Sequence, residues 1–454
     1  MMLTDAPVRS VTLWCGRRVR TGSTHSAILA AVAILAALHS IAAQAAEKPD
    51  PPYNVLFILA DQYRADCIGA AGNPRIRTPN LDRLAREGMR FTHAYAAQPV
   101  CSPNRASIIT GLYPHSAGVQ ENNVPLPKTS RTMSEMLEPA GYDCGYFGKW
   151  HLGRRDAFKT FPVYPNDGRG DNHYFGKGDA RRYGVDVITE DAIRFIRQKR
   201  TTPFYVYVSY YPPHPPFSVP NEYVEPYKDI ADRDMRIYYA MCTKVDEKVG
   251  ELLKTIGDMG IADRTLVVFT SDHGHNFELR WNRHHKRLCY DTSSRIPLLM
   301  RLPGVIPAGR DTGALISSVD LTPTILSLLG RPVPSGLQGQ DLSALARGTT
   351  DRGRDYVFIE NIPFTDAPAK GEERCVFDGR WKLILSTQRP PELYDLADDP
   401  KEVHNRWAEM KGSSVVRTLL DRLAAWAGGT RDDLAPRLTK RASAQVHGAE
   451  KPEE

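Results

Sequence analysis

Cys101 opens the segment "CSPNRASIITG", with Pro103 two residues on and Arg105 four residues on. A lone cysteine is ordinarily a small buried hydrophobe, so its chemistry depends on what the rest of the chain brings to it. Five other segments carry groups able to do so. Asp61 and Gln62 follow the apolar run "YNVLFILA", and Asp272 and His273 follow "TLVVFTS". His214 lies in "PPHPPF", Lys149 and His151 in "YFGKWHLG", and Lys286 in "HHKRLCYDTSSRIPLLMRLPG". Either aspartate alone would read as a capping or turn residue. Two such strand ends in one sheet instead suit a hard divalent cation, Ca2+ or Mg2+ first and Mn2+ as an alternative. If residues 149 to 151 are extended, their i, i+2 spacing places Lys149 and His151 on one face. A metal, two lysines, an arginine and several histidines around one cysteine favour a tetrahedral anion whose charge must be held in the transition state. Sulfate and phosphate esters both qualify.

These groups need a scaffold that gathers strand ends. The run at 53–60 is too short and too rich in β-branched and aromatic residues for a helix, and suits a strand buried on both faces of a parallel sheet. "TPNLDRLAREGMRF" then predicts a helix, with Thr78 as N-cap, Pro79 at the first position and Gly88 at the end. The alternation recurs, with a helix at 191–199, a strand at 203–211, a helix at 238–260 and a strand at 265–274. The pattern predicts an α/β fold with a large, mostly parallel sheet sandwiched by helices, and a site beyond the carboxyl ends of the strands. Past residue 345, "DYVFIE" and "CVFDGRWKLILS" predict a smaller antiparallel sheet, with a helix near 413–427. The resulting division is 1–45 signal peptide, 46–345 catalytic domain, 346–430 C-terminal subdomain and 431–454 a polar, disordered tail.

The leader reading rests on Arg9, Arg17, Arg18 and Arg20 ahead of an apolar run from Ala27 to Leu38, and on Ala43 and Ala45 as an A-x-A cleavage site. The run is short for a bilayer span; an uncleaved anchor and a twin-arginine signal are the alternatives. An exported, periplasmic or secreted protein follows, with no stable membrane insertion after cleavage. The formal charge of the 454-residue chain is +6. Removing residues 1–45 takes away four arginines and one aspartate and leaves about +3, too modest for nucleic-acid binding. Cys67, Cys101, Cys144, Cys242, Cys289 and Cys375 remain after Cys15 leaves, without a C-x-x-C pair, and predict at most one or two disulfides.

In order along the chain, "NVLFILADQ", "TPNLDRLAREGMRF", "CSPNRASIITGLYPHSAG", "YFGKWHLG", "HPPF", "TSDHG", "RIPLLMRLPG", "VDLTPTILSLLG" and "ELYDLADDP" resemble the type I sulfatases of the alkaline phosphatase superfamily. The resemblance covers most of the mature chain and implies the alkaline phosphatase-like fold. It implies that Cys101, within C-x-P-x-R, is converted to formylglycine by a formylglycine-generating enzyme acting on unfolded chain. One hydroxyl of the hydrated aldehyde would attack sulfur and expel the alcohol; the other, once deprotonated, would collapse to the aldehyde and eject sulfate. Carried over residue by residue, Arg105 would steady the formylglycine and the metal-side charge, Lys149 and Lys286 would hold sulfate oxygens, and His151 would bond the formylglycine hydroxyl and assist its deprotonation. His214 would protonate the leaving oxygen. Asp61, Gln62, Asp272 and His273 would ligate the metal together with residue 101.

The chain departs from the family where Gln62 replaces a common second aspartate and His273 a common asparagine, so the site carries less negative charge and Ca2+ affinity is put in doubt. Asn104 replaces the serine of C-x-P-S-R, which leaves the recognition residues in place. The implied substrate is a sulfate ester, on a carbohydrate. A phosphonate monoester or phosphodiester hydrolase of the same superfamily is the rival reading, and a non-catalytic carbohydrate-binding relative a third. Arg280, Arg283, His284 and His285 read either as anion-binding groups for a sugar chain or as a solvated basic loop.

Overall fold

The computed structural model describes residues 52–162, 164, 173–176, 181–277, 286–362 and 371–447. The leader at 1–45 and the basic residues at 280–285 lie outside them. Strand β1 (Asn54–Ala60) has every residue from Val55 to Ala60 buried. Val55, Phe57 and Leu59 enter one core and Leu56, Ile58 and Ala60 another. Period-2 alternation thus serves two apolar layers, which is why the run carries no polar residue.

The large sheet has eight strands: β1, β2 (Met89–Tyr95), β3 (Asp143–Gly148), β4 (Phe204–Tyr210), β5 (Thr265–Ser271), β6 (Arg295–Ile296), β7 (Leu298–Arg301) and β8 (Arg310–Ser317). Its order is β8-β2-β7-β5-β1-β4-β3, with β6 also on β2. The block β5-β1-β4-β3 is parallel throughout, whereas β7 runs antiparallel to both β5 and β2. The principal helices are α1 (Pro79–Glu87), α2 (Cys101–Thr110), α3 (Gly184–Ile196), α4 (Arg233–Asp258), α5 (Leu321–Leu328), α6 (Ser414–Thr430) and α7 (Ala435–His447). A four-stranded antiparallel sheet, β9 (Val357–Asn361), β10 (Glu373–Phe377), β11 (Trp381–Ser386) and β12 (Glu392–Asp395), follows. The α/β class with a large, mostly parallel sheet and a smaller antiparallel one is therefore the observed one.

Two local expectations change. Thr78 holds the N-cap position of α1 as expected, but its side chain makes no capping bond: its hydroxyl accepts from Gly69 N at 2.8 Å, and Asp246 of α4 accepts from Asn80 N and Leu81 N at 3.1 and 2.7 Å instead. The tail from 431 is not disordered over its first half, since residues 435–447 are helical. Leu434, Leu438 and Ala442, spaced four apart, are buried in one cluster with Leu383 and Leu385 of β11 and Leu420 and Leu423 of α6. The six cysteines named above are free thiols, all buried.

The C-terminal sheet reaches the segment that leads into Cys101. Glu360 N donates to Ala97 O at 2.8 Å. Asn361 Nδ2 donates to Arg287 O, and Arg287 Nη1 to Ile362 O, both at 2.8 Å. Arg287 N also donates to Pro99 O at 3.1 Å, so the position of Lys286 is set from both sheets.

Candidate active site

Parallel register accounts for the gathering of the acidic and basic groups. Ala60 pairs with Ser271 and with Tyr210, and Gly148 pairs with Ser209. The residues just past β1, β5 and β3 are Asp61, Asp272 and Lys149, and the turns after β4 carry His214, so one carboxyl edge supplies four functional side chains. Gly148 permits the exit of β3: at φ 112°, a Cβ there would lie 1.9 Å from Ser209 O. Lys149 then turns inward, its ammonium 2.5 Å from Asp61 Oδ2.

Helix α2 begins at Cys101, which is fully buried. Its sulfur lies 3.7 Å from Asp61 Oδ1, 3.3 Å from His273 Nε2 and 3.2 Å from Lys286 Nζ. Lys286 also donates to His214 Nε2 at 3.0 Å, so that nitrogen accepts and the ring proton sits on Nδ1, which donates to Pro215 O at 2.5 Å. Burial and the charge of Lys286 lower the His214 pKa, against the pull of Asp61.

Arg105, one turn along α2, faces the carboxylates rather than Cys101. It donates through Nε to Asp272 Oδ2 and through Nη2 to Asp61 Oδ2, each at 2.9 Å. Its Nη1 donates to Lys149 O at 2.8 Å and Ser209 Oγ at 2.7 Å. Burial and the charge of Cys101 push the Asp61 carboxyl up, but Lys149, His214 and Arg105 outweigh them and hold it well below the usual range. Burial likewise opposes a charge on Cys101, while Lys149, Lys286 and His273 bring the thiol well below an ordinary cysteine. The pocket is thus built to hold negative charge at residue 101. In a converted chain the sulfur position stands for an oxygen on the formylglycine carbon.

His151 reaches the site differently from expectation. It is not on an extended segment: its φ is 61°, the left-handed region, so Lys149 and His151 do not share a strand face. Its Nε2 donates to Asn123 Oδ1 at 3.1 Å, leaving Nδ1 buried without a hydrogen-bond partner, a base rather than a donor. Ser102 Oγ donates to the His151 carbonyl at 2.6 Å, and Ser102 N donates to Asn122 Oδ1 at 3.0 Å.

The donor set fits a divalent cation. Asp61, Cys101, Asp272 and His273 offer ligand atoms all within 4.8 Å of one another. His273 Nδ1 donates to Gly274 O at 2.9 Å, which turns Nε2 inward, the usual support of a ligating imidazole. Gln62 Oε1 is buried with no hydrogen-bond partner, an orphaned acceptor next to Asp61 of the kind a cation would satisfy. Burial and the charge of Asp61 raise the Asp272 pKa, as expected where carboxylates crowd a shared site.

Several contributors escaped the sequence reading. Asn104 joins three segments: its Oδ1 accepts from Ala97 N at 3.0 Å and Ser318 Oγ at 2.6 Å, and its Nδ2 donates to Asp272 O at 2.6 Å. His173 Nε2 donates to His214 O at 2.7 Å. Asn122, Asn123, Ser209 and His275 likewise bear on the site through partners distant in sequence, and no local motif announces them.

The sulfatase family profile matches residues 53–331, and that of the N-sulphoglucosamine sulphohydrolase C-terminal region matches 278–428. An ulvan-active sulfatase of Formosa agariphila is 32% identical over 423 residues, covering 84% of this chain and 81% of the relative. An N-acetylglucosamine-6-O-sulfatase of Bacteroides thetaiotaomicron is 24% identical, with 82% and 85% covered. The crystal structure of a phosphonate monoester hydrolase of Agrobacterium radiobacter superposes with a TM-score of 0.73 at 26% identity, covering 83% of this chain and 96% of that one. With profile, sequence relatives and fold in agreement, the chain belongs to the sulfatase family of the alkaline phosphatase superfamily and is a sulfuric ester hydrolase.

Proposed function

We propose that the protein removes sulfate from a carbohydrate, using formylglycine at position 101 and a divalent cation, Ca2+ with Mg2+ or Mn2+ as alternatives. The observation that carries this reading is the setting of Cys101, buried at a helix start with carboxylate, imidazole and ammonium groups all turned toward its sulfur. The sulfated-sugar part is supported by the names of the two relatives above. The hydrated aldehyde would supply one hydroxyl to attack sulfur and a second to release the sulfate. The cation, held by Asp61, Gln62, Asp272, His273 and residue 101, would acidify the attacking hydroxyl and offset sulfate charge.

The chain's own groups divide the remaining work. Lys149 and Lys286 flank residue 101 and stabilise sulfate oxygens as charge develops. His151 Nδ1 takes the proton of the second hydroxyl, with Asn123 fixing the tautomer. His214 and Lys286 together hold the proton that the leaving alcohol requires, the imidazole accepting from the ammonium until the oxygen departs. Arg105 braces Asp61 and Asp272 through its Nη2 and Nε. Because Cys101 is fully buried, its conversion has to precede folding, which suits a modifying enzyme that acts on the chain before or during export. The division into a catalytic domain at 46–345 and a C-terminal subdomain at 346–430, now with helix α7 added, belongs to the same reading.

The similarity to the phosphonate monoester hydrolase supports one rival substrate class. Mass spectrometry of the peptide around residue 101, from a host with the converting enzyme, should find formylglycine, and unmodified cysteine would sink the mechanism. Turnover of an aryl sulfate should exceed that of the matching aryl phosphonate, and the reverse preference would transfer the assignment to the rival.

A further inference from the structure

We propose that His275 is a positioning residue that decides which end of the Gln62 amide faces the metal. The proposal rests on the reading that Gln62 is a metal ligand. A carboxylate ligand has two equivalent oxygens and can meet a cation with either. An amide has one acceptor end and one donor end, and a half-turn about its last bond would present hydrogen atoms to the cation. A chain that uses glutamine here needs something to set that rotation.

The structure provides it. The Gln62 Nε2–H donates to Nδ1 of His275. An amide nitrogen only donates, so Nδ1 accepts and the ring proton is on Nε2. With the nitrogen end engaged, Oε1 is the end left buried and unpartnered. The Gln62 backbone is equally fixed: its φ is 67°, its N–H donates to Asp272 Oδ1 at 2.9 Å, and its carbonyl accepts from Tyr238 OH at 2.7 Å. The His275 ring is held by Phe277, Phe217 and Tyr238, at centroid distances of 4.2, 5.4 and 5.5 Å. Its carbonyl accepts from Arg64 Nη1 at 3.0 Å. An aromatic box therefore fixes the imidazole, the imidazole fixes the amide, and the amide presents its oxygen.

The test is divalent-cation affinity of the full-length, chelator-treated protein, titrated calorimetrically with CaCl2 and separately with MnCl2. His275→Phe keeps the aromatic packing and removes the acceptor; the affinity should fall about 10- to 100-fold, as for other outer-shell partners of metal ligands. His275→Asn, whose Oδ1 takes the place of Nδ1, should restore it. In a Gln62→Ala background His275→Phe should cause no further loss, because its effect passes through the amide. Wild-type affinity in His275→Phe overturns the proposal, and so does an equal loss in the Gln62→Ala background. Binding of neither cation by the wild-type protein overturns the metal reading and the proposal with it. The melting temperature of each metal-free variant is measured first, and His275→Leu replaces His275→Phe if the latter does not fold.

Discussion

Two buried clusters of charge, one around Cys101 and one around His115, draw on the same residue types and do opposite things. Each brings at least three His, Cys, Asp or Glu ligand atoms within 4.8 Å. In the second cluster Arg374 donates through Nε and Nη2 to Asp432 Oδ2 at 2.9 and 2.6 Å, and Asp432 Oδ1 accepts from Ala435 N at 2.6 Å. His115 bonds Glu360 Oε1 at 2.7 Å through Nδ1 and Thr430 O at 3.0 Å through Nε2. Both of those partners only accept, so both ring nitrogens carry protons and His115 is an imidazolium. Burial opposes that charge, but Glu360, Thr430 and Asp432 outweigh it and raise the pKa. Two negative groups meet two positive ones, and the charges cancel; Glu360 Oε2 alone makes no hydrogen bond and lies 4.0 Å from Arg374 Nη2. Around Cys101 the carboxylates are braced from one side by Arg105 and Lys149, while Gln62 Oε1 and His151 Nδ1 stay unpartnered. Composition does not separate a reactive site from a clamp; the pairing does. The clamp ties the short helix Pro114–Ala117 to β9, β10 and the start of α7.

The comparison can be pressed at four points. Cys101→Ala should lower turnover of an aryl sulfate by on the order of 10⁶-fold, as loss of a nucleophile does elsewhere, with the urea midpoint nearly unchanged. Retained turnover would move the nucleophile away from residue 101. Arg105→Met should do both kinds of damage, because it leaves Asp61 and Asp272 buried without their brace; about 3–5 kcal/mol of stability should go along with activity, read by urea unfolding. Arg374→Met should cost about 2–4 kcal/mol while kcat on the aryl sulfate holds, and a matching fall in kcat would show that the clamp also tunes the site. His115→Gln should have the smallest effect, and it should depend on pH. A folded pKa raised above about 6.5 stabilises fully below that value and loses its contribution as pH rises through the folded pKa. The stability gap between wild type and variant, facing Glu360, Asp432, Arg374 and the Thr430 carbonyl, should therefore be widest below about pH 6.5 and shrink as pH rises through the folded pKa. A gap that is flat with pH would mean that His115 is neutral in the fold.

Much of the site was legible because its residues sit at strand ends and in short segments. Apolar runs located β1 and β5, and what followed them supplied Asp61, Gln62, Asp272 and His273. The route of His151 was hidden, since a left-handed turn at a non-glycine residue leaves no periodic trace and depends on Ser102 and Asn123 for support. The partners of Gln62 and Glu360, 213 and 245 residues from His275 and His115 respectively, are set by topology and have no local signature. Helix α7 was missed for a different reason: its charged residues dominated the composition, while Leu434, Leu438 and Ala442 formed a narrow stripe that only a packing surface makes meaningful.

Helix α2 has no outer face: all ten residues from Cys101 to Thr110 are buried. An amphipathic helix can drift freely along its wet side, but this one has nowhere for neutral change to accumulate. A saturation scan selecting for sulfate release should therefore show an unbroken block of intolerance through Ser107, Ile108 and Ile109, well beyond Cys101, Pro103 and Arg105. A reader of that map would infer a long recognition signal, whereas half of the block would record only the tightness of the seat.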